Sequence, residues 1–362
     1  MKRKPIILIM TSRDEVGGLS LKLADAITSL GTHNAVVMSD DKYGSVAKRS
    51  TLDKLMETGG EYRSLLERKD KVTIKNSLTP RKFSKRVNRI KNMLRRFHPE
   101  YILCLTPYAH HCAVDAKRRL RFDTHIVYML PHFTMPKHKL DDITSVFIVE
   151  NADIKSDLVR SGLRSKDIMT MGFAYDIANK SAQEIAEAKQ DFGLPRMKSI
   201  YVNISDGKSL QEVFSLLLDQ GNVANLVVYC DSPRVKQILN SMSLSVPDVT
   251  VIYVQSQDKV DDYLAVCDMA ITDFDISVLY KCFKLGIPPI VYTAGDHNSS
   301  DISYLANHGL CLRAKEDIDI IALEYKLLQT ELASEIGANG RKWVEMNSIE
   351  NIANFLVSYI AM

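Results

Sequence analysis

Short apolar runs alternate along the chain with longer stretches whose apolar residues recur at helical spacing. The runs predict strands over 6–10, 35–38, 101–105, 125–130, 145–149 and 168–171. Helices are expected over 21–30, 81–97, 109–120 and 152–161, whereas 42–80 is polar and carries no clear period. A helix over 182–192 ends at Gly193-Leu194-Pro195, and the cycle restarts. Strands follow at 199–204, 226–230, 249–254, 269–272 and 289–292, with helices at 210–220, 233–241, 260–266 and 277–285. The segment 341–360 reads as a terminal helix. Strands that are apolar throughout and alternate with helices imply parallel sheets covered on both faces. Two such series, separated near 176–197, predict an α/β fold of two Rossmann-like domains facing across a cleft. The expected domains are 1–175 and 176–340, with a C-terminal helix over 341–362. Such sheets bind ligands at the carboxyl ends of their strands.

Composition narrows the class. Apolar residues make up 46% and charged residues 25% of 362, which excludes a disordered chain, a coiled coil and a collagen-like repeat. No apolar run approaches the roughly 18 residues that a spanning helix needs. The opening Met1-Lys2-Arg3-Lys4-Pro5 is basic, but the apolar run after it is too short for a signal-peptide core and suits a buried strand. The six cysteines (Cys104, Cys112, Cys230, Cys267, Cys282, Cys311) form no CxxC pair. They sit mostly in apolar segments, as reduced, buried thiols of a cytosolic protein do.

The net charge of +3 hides a segregation. Residues 1–175 carry 32 Lys and Arg against 19 Asp and Glu, a balance of +13, and residues 176–362 carry 15 against 25, a balance of −10. The basic half suits a phosphate-bearing partner or surface. Its densest part is Arg81, Lys82, Lys85, Arg86, Arg89, Lys91, Arg95 and Arg96, with no acid between them. Phe83, Val87, Ile90, Leu94 and Phe97 recur there at helical spacing. A basic amphipathic helix of this kind docks on anionic lipid, or else turns its apolar stripe to the core and its charges to solvent. Nucleic acid is not expected, because no surface aromatics interleave the cations.

Candidate chemistry gathers in the turns after the strands. Gly17 and Gly18 follow the first strand, where adjacent glycines let backbone approach a ligand at a helix N-terminus. Asp14, Glu15 and His132 are the candidate bases. Asp206, Gly207 and Lys208 open a helix, either facing a pyrophosphate or with Asp206 as the N-cap. Asp273 and Asp275 end the strand at 269–272, where they either bind sugar hydroxyls or cap the helix that starts at Ser277. His110, His111 and Cys112 lack a second ligand pair, so no metal site is expected.

Several segments resemble, in order, a family of glycosyltransferases. Glu15-Val16-Gly17-Gly18-Leu19-Ser20 with Ala24-Asp25-Ala26-Ile27 is similar to the opening of monogalactosyldiacylglycerol synthases. Related are the processive diacylglycerol glucosyltransferases and the N-acetylglucosaminyltransferase that makes lipid II. His98-Pro99-Glu100-Tyr101, Phe147-Ile148-Val149-Glu150-Asn151, Met171-Gly172-Phe173-Ala174, Gly286-Ile287-Pro288 and the stretch from Asp296 to Tyr304 continue the likeness. The resemblance implies the two-domain GT-B fold and a UDP-linked nucleotide-sugar donor in the acidic half. It also implies a lipid acceptor at the basic half and inversion by direct displacement without metal. The protein would then be cytoplasmic and peripheral on the inner face of the membrane, its oligomeric state unspecified and its nucleotide sugar a substrate rather than a cofactor. Ser20 stands at the family's proposed base, a His, and Lys281 at its ribose-binding Glu. The resemblance further puts Phe173, Asp296, His297, Asn298 and Asp301 near the donor. These departures favour an alternative, a GT-B protein that binds or assists without transferring sugar.

Overall fold

The structure is a computed structural model. It describes residues 4–11, 19–39, 80–136, 140, 142–173, 175, 177, 179–194, 197–219, 225–244, 246, 249–256, 259–293, 299–344 and 349–359, with backbone alone for 80–87, 299, 328 and 329. Contacts divide the chain into one unit of Met1–Asp176 with Asn347–Met362 and a second of Ile177–Met346.

In the first unit the chain runs β1 (Ile6–Thr11), α1 (Leu19–Ser29), β2 (Asn34–Ser39), α2 (Pro80–Phe97), β3 (Tyr101–Cys104) and α3 (Pro107–Leu120). It continues through β4 (His125–Met129), β5 (Val146–Val149), α4 (Ala152–Arg160) and β6 (Ile168–Thr170). The strands form a parallel sheet in the order β2-β1-β3-β4-β5-β6. Every residue of β1, β3 and β5 is buried, as central parallel strands demand. Local signals start the helices. Thr106 accepts from the Ala109 amide at 3.2 Å ahead of Pro107, and Asn151 accepts from Ile154 at 2.9 Å.

Ile90 and Met93 of α2 are buried in this core, with Leu94 and Phe97 packed against it. The visible part of the apolar stripe therefore faces the sheet. Arg95 and Arg96 are exposed, and Arg89 and Lys91 are half-buried. The side chains of Arg81, Lys82, Lys85 and Arg86 lie outside the described residues. Among the described residues no helix is long and apolar enough to cross a membrane.

The second unit runs α5 (Ala182–Asp191), β7 (Ser199–Asn203), α6 (Gly207–Asp219), β8 (Asn225–Tyr229), α7 (Pro233–Ser243), β9 (Val251–Val254) and α8 (Val260–Leu264). Then come β10 (Met269–Thr272), α9 (Ile276–Leu285), β11 (Pro289–Tyr292), α10 (Ser299–Asn307), β12 (Leu312–Ala314), α11 (Asp317–Gln329) and α12 (Leu332–Val344). Its parallel sheet has the order β12-β11-β10-β7-β8-β9. Two apolar clusters cover its faces, one under α6, α7 and α11, the other under α5, α8 and α9. All six cysteines are buried and none forms a disulfide.

The expected terminal helix over 341–360 is two helices, α12 and Ile349–Tyr359. The first turns Ile336, Gly337, Gly340 and Val344 inward against α9, and the second buries Ile349, Ile352, Ala353 and Leu356 where it packs on α1. Periodicity alone could not separate two apolar faces that serve different cores. Gly286, the C-cap of α9, is left-handed with φ 71°, which only glycine adopts without strain. Beside it, Arg341 donates from Nη1 to the Leu285 carbonyl at 2.8 Å.

Glu324 of α11 is 1% exposed, and its Oε2 has no hydrogen-bond partner. Desolvation raises its carboxyl from the ordinary 4.5 to about 7. Between those two values the folded chain holds a proton that the unfolded chain has released. Stability therefore falls as pH rises from about 4.5 to about 7. Glu324→Gln, which never ionises, should melt above the parent chain at about pH 8, with the gap closing below about pH 5. Melting curves across that range check this; a gap independent of pH would show that the carboxyl is not the cause.

Candidate functional site

Strand order sets the place. β7 lies between β8 and β10, so the connections after β7 and β10 leave the sheet in opposite directions. This is the switch point of the second unit, where a crevice opens at the carboxyl edge. The turn after β7 is Ile204-Ser205-Asp206, and the turn after β10 is Asp273-Phe274-Asp275.

The two turns are tied together. Oδ2 of Asp273 accepts from the Ser205 amide at 2.9 Å and from the Ser205 hydroxyl. Burial of the Asp273 carboxyl, helped by the nearby Asp275, pushes its pKa above the usual carboxylate range, while the bonds from Ser205 pull the other way. Asp206 caps α6: its Oδ2 accepts from the Ser209 amide at 2.8 Å and from the Ser209 hydroxyl at 2.7 Å, which holds the carboxyl below its ordinary range. Asp275 caps α9, its Oδ1 accepting from Ser277 at 2.9 Å and Val278 at 3.2 Å. Asp273 is therefore not a helix cap; it fastens one turn to the other. The N-terminus of α6 opens at this edge, where the positive end of the helix dipole suits a phosphate, and the carboxylates beside it suit hydroxyl groups.

Gly207 has a packing role: a Cβ there would lie 3.0 Å from Val235 of α7. Lys208 is exposed and pairs with Glu212 at 3.1 Å. Lys281 is buried in α9, with Nζ 2.5 Å from Asp261 of α8, so its charge is neutralised inside the unit. Asp301 is fully buried in α10. Asp296, His297 and Asn298 lie outside the described residues.

The first unit places its candidates less favourably. Ser20 is fully buried in the first turn of α1. Phe173 is 2% exposed and packs edge-on against Phe133 at 6.1 Å, a core contact. His132 is half-buried beyond β4, its backbone amide donating to the Leu130 carbonyl at 2.9 Å. Asp14, Glu15, Gly17 and Gly18 lie outside the described residues. Among the described residues no group of three His, Cys, Asp or Glu side chains could hold a metal ion.

Sequence reasoning missed Ser205 as the partner of Asp273. It also missed Tyr201 and Thr272, fully buried in β7 and β10, whose hydroxyl oxygens have no hydrogen-bond partner. Register is the signal that finds Thr272: it pairs with Asn203 at the same sheet edge.

No protein-family model and no curated protein matches the sequence. Solved structures do. MurG of Acinetobacter baumannii is 10% identical with TM-score 0.65, the match covering 98% of this chain and 99% of that one. UDP-GlcNAc 2-epimerase of Neisseria meningitidis, bound to UDP-GlcNAc, is 14% identical with TM-score 0.64 over 99% of each chain. The fold is GT-B. HepE of Anabaena, in complex with UDP-glucose, is 14% identical with TM-score 0.61 over 98% of this chain and 99% of that one. At such identities the likeness of these GT-B proteins is one of fold.

Proposed function

We propose that this GT-B protein is a glycosyltransferase that moves a sugar from a UDP-sugar to a lipid or cell-envelope acceptor at the membrane surface. One observation carries the reading. Structures of the same fold, matched over nearly their whole length, hold UDP, UDP-GlcNAc or UDP-glucose. The switch-point turns supply matching chemistry, with the N-terminus of α6 for the diphosphate and Asp273 and Asp275 for hydroxyls. Transfer proceeds by direct displacement: the acceptor oxygen bonds to the anomeric carbon as the bond to UDP breaks, inverting that centre. The hydroxyl proton passes to a base, Glu15 or His132, which typically contributes about 10²–10⁴ in rate.

Two positions favour the alternative, a GT-B protein that binds without transferring. Ser20, where the resembled family has its proposed base, is buried, and Lys281, at the ribose-binding position, is held by Asp261. Calorimetry with UDP, GDP and their sugars, followed by a transfer assay, separates the two cases. UDP should bind with Kd between about 1 µM and 1 mM, and one UDP-sugar should then label lipid extracts. UDP heat without transfer supports the non-catalytic protein; no heat with any nucleotide removes the donor site altogether.

A further inference from the structure

The carboxyl edge of the second sheet, where a diphosphate would sit, is itself negative. Three carboxylates stand there, Asp206 after β7 and Asp273 and Asp275 after β10. The lysines described near it are committed elsewhere. Lys208 of α6 pairs with Glu212 at 3.1 Å, and Lys281 of α9 is buried against Asp261 of α8. On α7, beside α6, Lys236 donates to Gln255 at 2.9 Å, and the exposed Arg234 is offset in charge by Asp231 of the same turn. Tyr292, at the end of the neighbouring β11, adds no positive charge. Even with Lys208 and Arg234 both turned to a ligand, two cations would face three carboxylates and a diphosphate. Like charges held in one partly desolvated crevice repel, and the least costly relief is a proton on the carboxylate whose charge is least supported.

That carboxylate is Asp273. Asp206 and Asp275 cap α6 and α9, and the positive ends of those helix dipoles face them. Asp273 caps no helix. Desolvation, with Asp275 beside it, already pushes its carboxyl up to about 6, against the pull of the bonds from Ser205. A proton can be added without undoing the clasp. Both Ser205 bonds end on Oδ2, which goes on accepting as the carbonyl oxygen while Oδ1 carries the proton. From this charge balance we propose that Asp273 takes up one proton from solvent as the second unit binds a UDP-sugar, so that the diphosphate settles beside a neutral carboxyl. The proposal rests on the donor site proposed above and adds to it a dependence on pH: the donor is held more weakly as pH rises.

Calorimetry of the full chain with UDP-glucose and UDP-GlcNAc, between about pH 5.5 and about pH 8, tests this. A UDP-sugar is esterified at both ends of its diphosphate and lacks the ionisation of a terminal phosphate near pH 6, so its own charge stays constant. In buffers of different ionisation heat, binding at about pH 7 should take up close to one proton. Affinity should fall about tenfold or more between about pH 6 and about pH 8. Asp273→Asn keeps an oxygen for Ser205 but never ionises. It should bind with no proton uptake, at one affinity across the range, and more tightly than the parent at about pH 8. Weaker binding by this variant at every pH overturns the proposal and leaves Asp273 a purely structural clasp. Proton uptake that persists in the variant assigns the proton to another group and overturns it too. So does parent binding that ignores pH; if that binding needs Mg²⁺, a cation does the neutralising instead. Should the variant not fold by circular dichroism, proton uptake by the parent decides alone. Failure of both UDP-sugars to bind at any pH removes the donor site itself, and the proposal with it.

Discussion

Gly337→Ala should melt roughly 6–12 °C below the parent chain. A Cβ at Gly337 would lie 2.3 Å from the Gly286 carbonyl oxygen, which is backbone and has little room to yield. α12 approaches α9 so closely that Gly340 is restricted too, its Cβ position lying 2.9 Å from the Phe283 Cα. Relieving the clash means moving one helix off the other, an overpacking cost of about 3 kcal/mol. A domain of this size loses about 2–4 °C per kcal/mol. Gly193→Ala is the control. Unlike the helical Gly337 it is left-handed, with φ 69°, and open space surrounds its Cβ position, so only backbone strain of about 1–2 kcal/mol applies. Equal losses in the two variants would show that the helix contact is not what Gly337 protects.

Replacing Arg89, Lys91, Arg95 and Arg96 together by Gln should lower binding to anionic vesicles about 10³-fold at low salt. Each cation near an anionic surface contributes about 1 kcal/mol, and four of them about 4. Ile90 and Met93 are already buried in the core, so attraction rests on charge rather than on insertion. Binding should weaken steeply with salt, and vesicles of neutral lipid should not bind the parent at all. Retained sedimentation of the quadruple variant with anionic vesicles would remove α2 from membrane docking.

The elements differ in how far sequence reveals them, for identifiable reasons. The strands at 269–272 and 289–292 are found to the residue, because a parallel strand buried on both faces is a bounded apolar run. α11 shows no clean amphipathic period, since Ile318 and Ile321 are apolar on the side away from the core. α12 is obscured by Gly337 and Gly340, which look like helix breakers and instead permit close packing. At the site, Asp206 and Asp275 are legible because a cap acts on residues next to it in the chain. The Ser205–Asp273 bond joins positions 68 residues apart, and only the insertion of β10 beside β7 creates it. Lys281 is placed on its helix by period, yet nothing local reveals that α8 will bring Asp261 against it.

The return of Ile349–Tyr359 to α1 sets an order of assembly. The first unit has its sheet in place by Thr170, but Ile352, Ala353 and Leu356, all buried on that unit, arrive only with the closing stretch. During synthesis the second unit, Ile177–Met346, emerges in full before the first has its last helix. The first unit is therefore finished only after the second, and α1 keeps an uncovered apolar face on the ribosome until Ile349–Tyr359 has been made.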